Sequence, residues 1–389
     1  MDRKAFSIIN IIRNIVSVYF DTFFAIYFFN LTNYEILPFA KYYLIIYIMI
    51  LFSFCFLSSS KKLKYKVYYF RIGISLQALY LALIMLFKED IVNHIYLVAI
   101  MKGLSEGFYF YPRNILNSTK ITNSERKKYN GIINAINNAS GIIIPLLLGI
   151  LLTYYNYIEI GKVVFILMIV IFILSYFVKD DDYSTNRISI FKFYQKVKSD
   201  KMVQKAFMMQ FLQGFTISSG VLVGAMTIYK IIYFESNLYI GILNSILGLF
   251  TCITCIIYAK SKMQHFKTIS LITLVLMVIS LVSLGISPSN IMFVIYLVIY
   301  AIGITLITLT CDNIIVNASN NFKIKHHHAE YHLFIEILLE ISRIIGYVVL
   351  LVIGMIGQTD YLRIILFFSI IPLTLLIICV INTKDKDIG

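Results

Sequence analysis

The sequence predicts an all-α, polytopic membrane protein with twelve transmembrane helices in two pseudo-symmetric six-helix bundles. Three observations carry that expectation. Apolar residues gather into twelve runs, each closed by a short polar loop, and a helix needs ~20 apolar residues to cross ~30 Å of hydrocarbon. A composition of 59% apolar and 14% charged residues, with a mean hydropathy of +0.83, leaves too little polar surface for a soluble chain. Basic residues also alternate between loops: 24 Lys and Arg fall in the termini and even-numbered loops, and five (Lys41, Lys88, Lys162, Lys230, Arg363) fall on the opposite side.

The runs cover residues 7–29, 37–57, 69–87, 95–116, 131–154, 163–178, 206–228, 238–259, 268–287, 291–316, 331–355 and 361–381, numbered here as spans 1 to 12. Span 1 follows a basic start but is too long for a signal h-region, carries Arg13 and Asp21, and lacks a small-residue cleavage site, so it reads as a true span. Basic clusters at Lys61, Lys62, Lys64 and Lys66, at Lys120, Arg126, Lys127 and Lys128, and at Lys260, Lys262 and Lys267 mark one side of the membrane. Basic residues beside a span stay cytoplasmic, so both termini are expected there. The net charge of +14 then reports topology, with no nucleic acid as partner.

Residues 179–205 begin Lys-Asp-Asp-Asp-Tyr and hold seven basic residues. They read as a cytoplasmic linker between an N-terminal bundle (1–178) and a C-terminal bundle (206–389). Residues 188–197 fit either an amphipathic helix on the anionic inner leaflet or a plain tether. Five cysteines, Cys55, Cys252, Cys255, Cys311 and Cys379, lie in or at the ends of apolar spans, an odd number that suggests no secreted disulfide framework. The Cys252/Cys255 pair is read as small apolar filling.

Sliding the chain on itself by about 200 residues brings Arg113-Asn114-Ile115 onto Asp312-Asn313-Ile314. The stretch from Tyr129 falls on that from Tyr331, so that Asn134 matches Glu336, Asn138 matches Glu340 and Ser140 matches Ser342. Charges within the spans are uneven. Span 1 has Arg13 and Asp21; span 4 has Lys102, Glu106 and Arg113; span 11 has Glu336, Glu340 and Arg343. Spans 3, 6, 9 and 12 have none in their interiors, which suits lipid-facing positions. A charge at mid-depth costs several kcal/mol unless paired or hydrated, and helical spacing puts each trio on one face, so both stripes should look into the protein.

Twelve spans, two similar halves, a basic central loop, cytoplasmic termini and charge-free spans 3, 6, 9 and 12 together resemble the major facilitator superfamily of secondary transporters. The likeness covers nearly the whole chain and lies in architecture more than in motif. The family's loop between spans 2 and 3 carries Gly, Asp, Arg and Gly with further basic residues; here Ser58-Ser59-Ser60-Lys61-Lys62-Leu63-Lys64-Tyr65-Lys66 keeps the positive charge without the Asp or either glycine. Gly141, Pro145 and Gly149 echo the span-5 motif of proton-antiporting drug exporters with the wrong spacing.

The resemblance implies alternating access by two rocking bundles about a central cavity, with a small solute and protons as partners and the lipid bilayer as solvent. Proton coupling requires a carboxyl in a low-dielectric site, and Asp21, Glu106, Glu336 and Glu340 are the candidates, with Glu106 and the Glu336/Glu340 pair preferred. Arg113 and Arg343 are either anion clamps or fixed partners of those acids. Structural pairing of Lys102 with Glu106, and of Arg343 with Glu336 or Glu340, is the alternative. Arg113 and Asp312, at matching span ends, are expected to hold a cytoplasmic gate. Asn134, Asn138, Gln210 and Gln213 are further polar cavity candidates, and Gly103, Gly107, Pro112 and Pro145 are sites for close packing or bending.

The cluster His326, His327, His328 and His332 is a transition-metal or pH-sensing alternative, although histidines in a basic loop need no such role. No phosphate-binding loop supports an ATP-driven pump, and no nucleophile and base form a catalytic constellation. The expectation is therefore a monomeric, cofactor-free, non-enzymatic transporter in a bacterial cytoplasmic membrane, proton-coupled and acting outward. A divalent-metal transporter or sensor, and a transport-inactive sensor or immunity protein, are the alternatives.

Overall fold

The computed structural model describes residues 2–33, 35–58, 65–120, 123–180, 190–215, 230, 233–234, 236–260, 266–319, 328–356 and 361–382. These residues are overwhelmingly helical. Among the described residues nine helices are long and apolar enough to cross a membrane: Lys4–Leu31, Ile36–Leu57, Lys66–Val92, Ile136–Tyr154, Tyr157–Ser175, Asn237–Tyr258, Lys267–Ile286, Asn290–Ser319 and Glu330–Met355. Three expected spans differ from this group for separate reasons. Span 4 is a helix from Ile95 to Lys120, as long as the rest but carrying Lys102, Glu106 and Arg113. Span 7 is described over Lys201–Gln213, and residues 216–229 lie outside the described residues. Span 12 is two helices, Tyr361–Phe368 and Ile370–Ile381. Pro372 cannot donate to the carbonyl of Phe368, which places the break at Ser369, one turn upstream of the proline.

Most boundaries fall within a few residues of the apolar runs; span 5 starts early, at Asn123, and span 6 departs for a local reason. Span 6 begins at Tyr157, six residues before its apolar run, because Asn156 and Glu159 form a capping box. Asn156 Oδ1 accepts from the Glu159 N–H at 2.9 Å, and the Glu159 carboxylate accepts from the Asn156 N–H at 3.1 Å. Lys162, assigned to a loop by hydropathy, therefore lies in the helix. Span 1 ends at Leu31, and the chain turns through Asn33, whose φ of 52° is a left-handed conformation that asparagine tolerates.

The chain divides into two compact units, Met1–Ile188 with Phe234–Ile246, and Ser189–Tyr233 with Leu247–Gly389. In the first, span 4 lies against spans 2 and 3. The approach to span 2 depends on Gly103 and Gly107, one turn apart: a Cβ at Gly103 would come 2.5 Å from the Ile46 carbonyl oxygen, and one at Gly107 would strike the Ser53 side chain. Small residues at this spacing let helix backbones close up, a main source of attraction where lipid offers no hydrophobic drive. Gly73 on span 3 serves the same end against the backbone of Phe108 and Tyr109.

Tyrosines fill the core of this unit. Tyr19 stacks on Tyr157 at 4.5 Å and Tyr27 on the same ring at 4.6 Å, while the hydroxyls of Tyr42 and Tyr80 bond at 2.7 Å. Such rings bring a large apolar body together with a polar tip that seeks a partner. On span 6 Val163, Ile166, Ile169, Val170 and Ile173 form an exposed stripe at helical spacing. In the second unit Ile272, Val275, Leu276 and Ile279 do the same on span 9. Both stripes suit direct contact with lipid, as the absence of charge in those spans implied. The linker helix Ile190–Val197 buries Phe193 against Tyr331 and Phe334 of the second unit, and Val197 is buried as well.

Candidate functional site

The chemistry of the first unit centres on Glu106, two turns before Pro112 on span 4 and 7% exposed. Lys102, one turn earlier on the same helix, reaches its Oε1 at 2.5 Å. Arg13, on span 1, donates from Nη2 to both carboxylate oxygens at 2.7 Å. The Arg13 guanidinium lies over the Tyr109 ring at 5.2 Å and the Phe110 ring at 5.8 Å. Lys102 Nζ lies over Phe20 at 4.7 Å and Tyr80 at 5.6 Å. Two cations and one anion are thus held among aromatic faces, where electrostatic attraction is weakly screened. Removing one partner would leave charge stranded in hydrocarbon.

One turn below Arg13, Asn10 extends the network: its Oδ1 accepts from Arg113 Nε at 2.8 Å and from the Tyr109 hydroxyl at 3.3 Å. Arg113 therefore ties the end of span 4 to span 1. Asp312, its expected gate partner, is exposed on span 10 in the second unit, beside Asn313, which donates to the Tyr258 hydroxyl at 2.6 Å.

Asp21 is placed by an irregularity. Span 1 is α-helical over Asp2–Val18 and Ala25–Leu31, and between them Tyr19–Phe24 form a π-helical turn. Such a turn inserts a residue and rotates the next stretch of helix, and in other proteins it concentrates at functional sites. Tyr19, Phe20, Phe23 and Phe24 point into the core, while Asp21 is exposed and interacts electrostatically with Lys102, Glu106 and Arg13. Formally the four charges cancel. Glu106 is clamped by two cations, whereas no hydrogen bond or ion pair joins the Asp21 side chain to another described residue.

The second unit holds its own charged helix. On span 11 Glu340 is 1% exposed and pairs with Arg343 Nη1 at 2.5 Å. Glu336, one turn earlier, is half-buried. Gln210 and Gln213 on span 7 are each 8% exposed. In the first unit Asn138 is half-buried on span 5, and the side chain of Asn134 lies outside the described residues. So do His326, His327 and the side chain of His328; His332 is exposed, its ring 5.7 Å from that of Tyr331. Among the described residues no three His, Cys, Asp or Glu side chains converge as a metal site.

The structure thus links Glu106 and Arg113 through Arg13, Tyr109 and Asn10, places Asp21 within electrostatic reach of that network, and joins Glu340 with Arg343. Arg13 and Asn10 were missing from the candidates. The available signal was an arginine at mid-span, which needs a carboxylate, but nothing in the sequence chooses that partner 93 residues away.

The sequence profile described as Major Facilitator Superfamily matches residues 7–347. No curated protein sequence matches. Among solved structures, the nucleoside transporter NupG aligns with a TM-score of 0.72 at 11% identity, over 98% of this chain and 99% of that one. A bacterial homologue of the iron transporter ferroportin, in an inward-facing state, gives 0.72 at 11% identity over 97% of both chains. A bacterial metal transporter gives 0.65 at 11% identity, again over 97% of both. Identities this low speak for a shared fold.

Proposed function

We infer that this chain, which belongs to the Major Facilitator Superfamily of membrane transporters, moves a small solute across a bacterial cytoplasmic membrane by proton-coupled alternating access. Its working direction in this reading is outward, with both termini cytoplasmic and the chain acting as a monomer without a cofactor. The observation that carries the coupling is the contrast between two carboxylates in one cluster: Glu106 gripped by Arg13 and Lys102, and Asp21 exposed on a π-helical turn beside them. Protonating Glu106 would strand two cations, so it serves as a fixed counter-ion. Protonating Asp21 would break no bond to a described residue, and its charge acts on Lys102 and Arg13 directly. Asp21 is therefore the group assigned to exchange the proton. This revises the preference for Glu106 drawn from sequence.

In the second bundle Gln210, Gln213 and Glu336 are the solute-facing candidates, with Glu340 and Arg343 as a fixed pair. Arg113 and Asp312 keep the gate assignment as a proposal. The metal alternative rests on the histidine cluster, outside the described site. The test has two steps. A thermal-shift screen against drugs, sugars, amino acids, organic anions and divalent cations identifies a ligand that stabilises the fold. Proteoliposomes then report whether a pH gradient drives that ligand uphill. Accumulation abolished by a protonophore supports the reading; accumulation insensitive to the gradient ends it.

A further inference from the structure

Spans 5 and 6 are joined by Tyr155 and Asn156 alone, yet they part to leave a groove of about 610 Å³ in the first unit. Leu147 and Leu151 form one wall and Val163 and Leu167 the other, with Ile15 and Tyr19 of span 1 behind. Two of the polar groups at its edge are already bonded. The Tyr19 hydroxyl donates to the Tyr157 carbonyl at 3.0 Å, and Glu159 is committed to the capping box with Asn156. A polar solute would find few unpaired donors there, and an apolar cavity neither retains water nor stays empty without cost. The groove opens through Leu147, Leu151 and Val163, which are 48%, 40% and 60% exposed. That mouth adjoins the exposed apolar stripe Ile166, Ile169 and Ile173, which suits contact with the bilayer. Lys162, the exposed residue before Val163, lies on the same turn of span 6 as the mouth.

We propose that this groove is a phospholipid site, holding one acyl chain between spans 5 and 6 with the lipid phosphate against Lys162. The aliphatic walls select the chain and the lysine supplies the complementary charge at the end where a headgroup would sit. Tyr19 belongs to the π-helical turn that carries Asp21, so the bound chain packs against the element on which the proposed proton exchange depends.

The chain has no Trp, so an introduced one is a clean reporter. Tyr155→Trp places an indole at the groove mouth, and Ile279→Trp places a control on the exposed face of span 9. In bilayers containing phospholipid brominated on its acyl chains, both should be quenched. After transfer to lipid-free detergent, the control should recover its fluorescence while Tyr155→Trp stays quenched. Narrowing the groove with Leu151→Phe should abolish the retained quenching, and Lys162→Gln should shorten its lifetime, with melting temperatures unchanged in both. Full recovery of the Tyr155→Trp signal together with the control would overturn the site. Retention indifferent to Leu151→Phe would do the same, and retention indifferent to Lys162→Gln would overturn the phosphate contact.

Discussion

The charged centres of the two units use the same residue types in different ways. In the first, Glu106 is held by Lys102 of its own helix and by Arg13 of another, and both basic side chains are under 10% exposed. In the second, Glu340 pairs with Arg343 three residues away on one helix, and the arginine side chain is 19% exposed. A pair across helices fixes their packing and is costly to break once buried. A pair within a helix can form before the helix docks and adds little to docking. The first centre, with two buried cations on one carboxylate, should therefore cost more to disrupt than the second, whose arginine is partly exposed.

The largest effect expected is that of Glu106→Gln, which leaves Arg13 and Lys102 facing each other without an anion. Breaking a buried pair in this way costs about 3–5 kcal/mol, and thermal unfolding in detergent would register it. Gly107→Val probes whether packing rather than charge joins the helices. Overpacking against Ser53 should cost about 1–3 kcal/mol, and a loss exceeding that of Glu106→Gln would reverse the comparison.

Asn156→Ala removes the cap of span 6 and should cost about 1 kcal/mol, a baseline for a first-unit change that touches no charge. Glu340→Gln should cost less than Glu106→Gln, since it leaves one arginine that is 19% exposed without this carboxylate rather than two buried cations. A double-mutant cycle sharpens the contrast: Arg13 and Glu106 should couple by about 1–3 kcal/mol, clearly more than Glu340 and Arg343. Equal coupling in the two cycles would erase it.

Sequence made the spans legible because the bilayer demands a long apolar run. It also made Lys102 with Glu106, and Arg343 with Glu336 or Glu340, legible as pairs, because helical spacing places such residues on one face. The features it hid are long-range or irregular. Arg13 and Asn10 join span 4 only after the chain has folded. The π-helical turn at Tyr19–Phe24 has no local signature, since its aromatic residues suit an ordinary helix equally well. Hydropathy starts span 6 late because the cap at Asn156 precedes the apolar run, and it passes over the break in span 12 because Pro372 lies within one.

The central claim is a division of labour in which Glu106 stays ionised as a counter-ion and Asp21 takes and releases the proton. Infrared difference spectroscopy across a pH titration tests it without knowledge of the solute, because a protonated carboxyl has a carbonyl absorbance that a carboxylate lacks. The account predicts a titrating carboxyl band in the parent protein that is missing from Asp21→Asn and retained in Glu106→Gln. A band that survives in Asp21→Asn and vanishes in Glu106→Gln would contradict it.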